Sequence, residues 1–266
     1  MVKKLKIFCV TDKALPHLED STLFLAGVGK NKFNKNYFDC SIKNNIFHKE
    51  KYYSELTFHY WYWKNLIQSE DSDWVGFCQK RRFWIKSSSD KETINSQNLK
   101  SNLLSEPESA WENFDSILCN PINVSGAKKI KIFKRGWKNL LDDPKLIFKK
   151  NFETIKIHFD MHHGYRNLEK AIDLLENEEK KDFSNYVNKN KTYNPHIMFI
   201  TKPEIANKWF KASFEWLSRC EEIFGFENLK GYDTTRLYAY LAERYLSFWF
   251  KKYTKSKNSP WIFINN

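Results

Sequence analysis

The sequence predicts an α/β domain built on a mixed, mainly parallel central sheet flanked by helices. Short apolar runs of strand length, at 3–10, 74–78, 114–121 and 197–201, alternate with longer stretches of helical spacing. The segment 73–85, DWVGFCQKRRFWI, begins as a buried-strand pattern, turns into Gln79-Lys80-Arg81-Arg82, and becomes aromatic again. Three consecutive cations stay inside a core only if they are paired or open onto a cleft. Open α/β sheets bind ligands at the carboxyl ends of their strands. With no internal repeat and no long linker, residues 1–266 read as one domain.

Taken in order, 3–10 is a first strand ending at Thr11-Asp12-Lys13, and 14–47, rich in Asn and Lys, reads mostly as loop. Its glycines form neither a G-x-G-x-x-G nor a P-loop pattern. Ser54 is placed to cap a helix over 55–68, with Glu55 in its first turn. Leu56, Tyr60, Trp63 and Ile67 give that helix a core face, and its amino end suits a phosphate or hydroxyl ligand. In 73–85, strand alternation sends Lys80 and Arg82 to one face and Arg81 to the other, toward a carboxylate partner. Residues 87–110 are polar loop with a weak helix, and 114–121 is a strand closed by Asn120-Pro121. The basic, aromatic stretch 125–153 is expected to cover the cleft, and a helix follows that ends near Glu179. Beyond the strand at 197–201 come an amphipathic helix through Trp209, Phe214, Trp216 and Leu217, then a final helix carrying Arg236, Glu243 and Arg244. The tail SKNSPWIFINN is apolar enough to dock.

Composition sets the partner class. A 41% hydrophobic content with 10 Trp, 13 Tyr and 22 Phe excludes a disordered chain. A formal charge of +12 points to an anionic partner: nucleotide, nucleic acid or membrane surface. Of the 44 cations only seven are Arg, at 81, 82, 135, 166, 219, 236 and 244, and these are the informative ones because the planar fork suits phosphate. Five cysteines stand singly at 9, 40, 78, 119 and 220, with no metal or redox spacing, as expected in a reducing cytoplasm. No apolar run reaches the roughly 18 residues of a membrane span.

For metals, Asp71-Ser72-Asp73 has Asp-x-Asp form but precedes its strand, at the wrong end for the ligand cleft. A divalent cation (Mg or Mn) therefore lacks a well-placed carboxylate pair, and no metal ligand is assigned. His158, Asp160, His162 and His163 cluster without the Glu of H-E-x-x-H, which favours one polar site histidine over a zinc site. Lys80, Arg81 and Arg82 could neutralise a diphosphate without metal. Asp233 and Glu243 are candidates for an arginine partner or a general base. No serine or cysteine nucleophile motif is present.

These pieces resemble a bacterial glycosyltransferase family catalogued as DUF4422, whose members occur in capsule, exopolysaccharide and O-antigen gene sets. Its E-L-T-x-x-Y-W-x-W-K-N helix is similar to Glu55-Leu56-Thr57, Tyr60-Trp61 and Trp63-Lys64-Asn65. Its G-L-x-H-Y-R-R-Y strand resembles 76–83, with Gln79-Lys80 where the family has His-Tyr. Further likenesses are 114–121, His163 ahead of Asn167-Leu168, the strand at 197–200 beside His196, and Arg236 with Ala242-Glu243-Arg244. The match spans roughly 5–250.

The resemblance implies a GT-A-like fold and transfer of a hexose, with galactofuranose as one candidate, from a nucleotide-diphosphate sugar to a glycan or lipid-linked acceptor in surface polysaccharide biosynthesis. On that reading Thr11, Asp12, Glu55, Thr57, Gln79, Lys80, Arg81, Arg82, Asn120, His196, Arg236 and Arg244 bind the nucleotide sugar. Asp233 or Glu243 serves as base and His163 orients donor or acceptor. The expected setting is cytoplasmic, with peripheral contact at the inner membrane and no specific nucleic acid. Two alternatives stand beside it: a nucleic-acid binder using basic and aromatic surface, and an inactive scaffold relative, motivated by Gln79-Lys80.

Overall fold

The computed structural model describes residues 3–125, 135–144 and 152–265. Its strands are β1 (Leu5–Thr11), β2 (Phe24–Gly27), β3 (Tyr37–Asp39), β4 (Trp74–Gln79), β5 (Arg82–Trp84), β6 (Ser116–Cys119), β7 (Ile122–Asn123), β8 (Thr192–Tyr193), β9 (Phe199–Thr201), β10 (Ser256–Ser259) and β11 (Trp261–Phe263). Among the described residues, nine of them form one sheet along β10-β6-β9-β4-β1-β2-β3, with β5 and β11 added at the end of β4. The β3-β2-β1-β4 half is parallel. β9 runs antiparallel between β4 and β6, and β10 lies parallel to β6. The expected α/β architecture, a mixed sheet flanked by helices, is the one observed.

The period-2 alternation of β1 and β4 divides the core. Phe8, Val10, Val75 and Phe77 enter one apolar layer, while Ile7, Cys9, Trp74 and Cys78 enter the other. The first layer is closed by helices Leu56–Asn65, Pro203–Phe224 and Leu237–Tyr253, which contribute Phe58, Trp61, Tyr62, Trp209, Phe210 and Tyr245. The second is closed by segments that bring Trp84, Leu103 and Trp111. All five cysteines are buried and free, packing as small hydrophobes. Among the described residues no helix is long and apolar enough to cross a membrane.

Several expectations change. The 14–47 stretch holds β2 and β3, which complete the parallel half; β2 is four residues and β3 three, too short for periodicity to show. Gly27 sits under the Phe33 ring, where a Cβ would come within 2.3 Å of it. The 55–68 helix is Leu56–Asn65, and Ser54 does not cap it. Ser54 has φ 51°, outside the extended conformation of an N-cap, because it ends the preceding turn, Glu50–Tyr53. The 73–85 segment is two strands, since Gln79 pairs with Arg82 across a turn whose Arg81 has φ 70°. The helix expected to end near Glu179 is three: Ile155–His163, Asn167–Ile172 and Asn177–Lys189. Gly164 at φ 102° breaks the first from the second. The tail joins the sheet as β10 and β11. The covering role assigned to 125–153 falls largely on 126–134 and 145–151, outside the described residues.

His59 lies fully buried in helix Leu56–Asn65 among Phe77, Phe199 and Phe210, its Nδ1 without a hydrogen-bond partner. Burial lowers its pKa from 6.5 to about 3. Between those values the unfolded chain binds the extra proton, so the stability contributed by neutral His59 is complete above pH 6.5 and is lost as pH falls toward 3. His59→Phe is expected to reduce acid sensitivity, with wild type losing up to about 1.4 kcal/mol more per pH unit in that window. Urea titrations of both proteins at successive pH values measure the difference, and parallel curves would refute it.

Candidate functional site

Where β1, β2 and β4 end, the chain leaves a cleft of about 260 Å³ bordered by Thr11, Asp12, Val28, Glu50, Ser54, Glu55, Gln79, Lys80, Arg81, Arg82 and Arg236. Two further hollows follow from it, the second meeting the first at Gly29, Lys30 and Asn31. One of about 490 Å³ shares Asp12, Glu50 and Arg236, and one of about 510 Å³ is lined partly by Phe33, Phe38 and Phe47. The position follows from burial: β4 is enclosed on both faces from Trp74 to Cys78, so charge can appear only past its end.

The cleft is cationic with inlaid carboxylates. Lys80 keeps its backbone N–H in the sheet, donating to Val10 O at 2.9 Å, while its ammonium pairs with Asp12. Arg81 and Arg82 do not divide between two faces. Both guanidinium groups lie 5.4 Å from the Phe263 ring, and the carboxylate expected for Arg81 is absent among its described contacts. The tail strand β11 supplies that ring, and Ile264 N–H donates to Arg81 O at 2.8 Å. Arg236 is exposed at the start of helix Leu237–Tyr253. Burial pushes the carboxyl pKa of Glu50 and of Glu55 up, with Arg236 nearby acting the other way.

A polar chain runs from this cleft into the fold. Gln79 Nε2 donates to Glu55 and, at 2.5 Å, to His196 O. The other end of the same residue, His196 N–H, donates to Glu243 Oε1 at 2.6 Å, and Glu243 Oε2 accepts from Arg244. His196 and Ile197 have φ of 74° and 51°, two successive left-handed non-glycine residues, so their backbone is strained and held from both sides. Burial lowers His196 to about 4, keeping its imidazole neutral. Arg244 is 1% exposed and lies 3.8 Å from the Tyr193 ring centroid.

Beyond Arg244, the rings of His158 and His162 lie 4.6 Å apart, and His163 stacks on Tyr240 at 3.7 Å. His163 Nδ1 is 3.1 Å from the backbone carbonyl of Asp233. A carbonyl only accepts, so Nδ1 carries the proton and Nε2 keeps its lone pair. Burial, with Arg244 nearby, pushes the His163 pKa well down, so the ring is neutral near pH 7.

The structure thus gathers Thr11, Asp12, Glu55, Gln79, Lys80, Arg81, Arg82 and Arg236 at one cleft, and links His196, Glu243 and Arg244 to it through Gln79. His163 and Asp233 form a neighbouring cluster in which Asp233 pairs with Arg135 at 3.5 Å. Two residues fall elsewhere. Thr57 is fully buried beneath the cleft because it is inside the helix, on its core side. Asn120 is exposed past β6, held by a backbone bond to Ser259 O, and borders none of these hollows. Sequence reasoning missed Glu50, Ser54 and Val28, which reach the cleft through a turn and a strand with no strong local pattern.

Among the described residues no three His, Cys, Asp or Glu side chains converge on a metal position. Asp12 and Glu50 both flank Gly29, and Asp12 pairs with Lys80. At the other end of β4, Asp71 pairs with Lys4 and Lys6, and Asp73 accepts from Lys4 N–H.

Because Arg244 is buried, its Glu243 partner is hard to remove. Glu243→Leu is expected to destabilise the fold by about 3–5 kcal/mol, with Glu243→Gln milder because it still accepts from His196 N–H. Urea unfolding measures both; a loss under about 1 kcal/mol for Leu would show that Arg244 is neutralised by another group.

Comparison with curated protein sequences finds no match. A solved apo structure of WbbM, described as a bifunctional glycosyltransferase, superposes with a TM-score of 0.72 at 19% identity, covering 99% of this chain and 46% of that one. The chain therefore spans about half the length of that protein, and at this identity the likeness shows the fold. The profile of the domain of unknown function DUF4422 matches residues 6–256. With nearly its whole length matched, the chain belongs to the DUF4422 family.

Proposed function

We propose that the chain is a GT-A-like glycosyltransferase, moving a hexose, with galactofuranose as one candidate, from a nucleotide-diphosphate sugar to a glycan or lipid-linked acceptor in surface polysaccharide biosynthesis. The observation that carries this reading is the cleft at the strand ends, where Lys80, Arg81, Arg82 and Arg236 meet in a space continued by two hollows along β1 to β3. Its cations suit a diphosphate through charge-assisted and bidentate bonds. The likeness in fold to a bifunctional glycosyltransferase supports the same class. Most large aromatic side chains are buried, which leaves few to stack on nucleic-acid bases.

In this mechanism the acceptor hydroxyl oxygen bonds to the anomeric carbon, the bond from that carbon to the diphosphate oxygen breaks, and the nucleoside diphosphate leaves onto the cationic cleft. The acceptor proton passes to the Asp233 carboxylate, while neutral His163, fixed by the Asp233 backbone carbonyl, orients donor or acceptor through its Nε2 lone pair. Glu243 suits anchoring better than proton transfer, since both its oxygens already accept hydrogen bonds. Gln79 keeps the donor role toward Glu55 and His196 that a histidine could fill, so its presence is compatible with turnover.

A thermal-shift panel of nucleoside diphosphates and their hexoses, with and without Mg²⁺ or Mn²⁺, tests the donor. At least one is expected to raise the melting temperature, and Arg236→Ala is expected to weaken its binding by about 1.5–3 kcal/mol. No shift with any nucleotide sugar, metal present or absent, would overturn the reading. Asp233→Asn is expected to lower kcat by about 10²–10⁴-fold while leaving nucleotide affinity unchanged; unchanged kcat would remove Asp233 from the base role.

A further inference from the structure

We propose that Phe263 is a positioning residue of the cleft, holding the guanidinium groups of Arg81 and Arg82 for a pyrophosphate group. Both guanidinium groups lie 5.4 Å from its ring centroid. Both arginines border the cleft, which Phe263 itself does not. Adjacent residues of a straight strand point to opposite faces, and the reversal at Arg81, φ 70°, removes that separation and brings the pair to one ring.

The tail strand fixes where the ring stands. Phe263 is directly across from Arg82 in the β5–β11 ladder, and Ile264 N–H donates to Arg81 O at 2.8 Å. The flanking Ile262 and Ile264 are 5% and 6% exposed and anchor the strand, while Phe263 is 43% exposed and adds little to the core. It also lies past residues 6–256, so the ring is supplied from outside the family match.

An aromatic partner does what a carboxylate cannot. A ring attracts a cation within about 6 Å without cancelling its charge or accepting its in-plane hydrogen bonds. Lys80, by contrast, is paired with Asp12. Arg81 Nε is buried and has no hydrogen-bond partner among the described residues, which leaves a donor in want of an acceptor. Two planar forks on adjacent residues suit a group with two adjoining phosphates. Holding them before the ligand arrives lowers the ordering cost of binding. The same group occurs in a nucleoside diphosphate and in a lipid-linked diphosphate. Assigning it to the sugar donor rests on the transferase reading; the grip on pyrophosphate does not.

Calorimetric titration of the full chain with inorganic pyrophosphate, without added metal, tests the proposal. Phe263→Leu is expected to weaken binding about 5–30-fold, and Phe263→Tyr, which keeps a ring, to stay within about twofold of wild type. Phe263→Met, a second variant without a ring, is held to the same expectation as Phe263→Leu. Circular dichroism and the melting temperature check that each variant is folded. The proposal fails if a folded ring-free variant binds as tightly as wild type, if Phe263→Tyr loses as much as Phe263→Leu, or if wild type ignores pyrophosphate. Uridine diphosphate and farnesyl diphosphate are titrated alongside, and the one whose affinity falls by the same factor identifies the source of the group. Pyrophosphate binding that depends on Phe263, with no response to any nucleotide sugar, upholds the grip and fails only the transferase reading.

Discussion

A strand buried on both faces can present polar groups only where it ends, and β4 is such a strand. Its side chains from Trp74 to Cys78 are enclosed between two apolar layers, and its neighbours β1 and β9 take up its backbone. Gln79, Lys80, Arg81 and Arg82 are therefore pushed together at the carboxyl edge of the sheet. The rest of the cleft is assembled around that fixed point: Asp12 from β1, the Glu50–Tyr53 turn from above, and Arg236 from the head of the last long helix.

Gln79 joins two parts of the molecule that are far apart in sequence. Its amide meets Glu55 on one side and the His196 carbonyl on the other, and Glu243 holds the amide of the same His196. The left-handed backbone at His196 and Ile197 costs of order 1–3 kcal/mol per residue and persists because these bonds over-determine it. A rigid, polar floor is thereby set under the cleft, with buried Arg244 beneath it. Such strain is placed where geometry has to be kept, which fits a site that positions a substrate.

Charge is distributed unevenly over the chain. The cleft mixes four cations with Asp12, Glu50 and Glu55, a balance suited to recognising one compact anion. Along the sequence the largest local surplus falls between 126 and 151, with nine Lys and Arg against two Asp. The histidine cluster meets Arg135 on its exposed side and has buried Arg244 nearby.

The sequence by itself determined the α/β class, the burial of 74–78 and the emergence of 79–82 at a strand end, because these follow from the local alternation of apolar and charged residues. The family was legible as a resemblance in the motifs of the 55–65 helix and the Arg-Arg strand, and the profile match over 6–256 shows it. Only the tertiary structure decided the rest. Strands as short as β2 and β3 carry no period of their own, and become strands because β1 offers them a ladder. Thr57 is two residues past Glu55 of the cleft, yet it lies inside the helix on its buried side. Arg81 loses its expected carboxylate because the chain reverses at that residue and meets Phe263, some 180 positions later. The contacts of Gln79 with Glu55 and His196 likewise depend on long-range packing, which residue type and spacing do not encode.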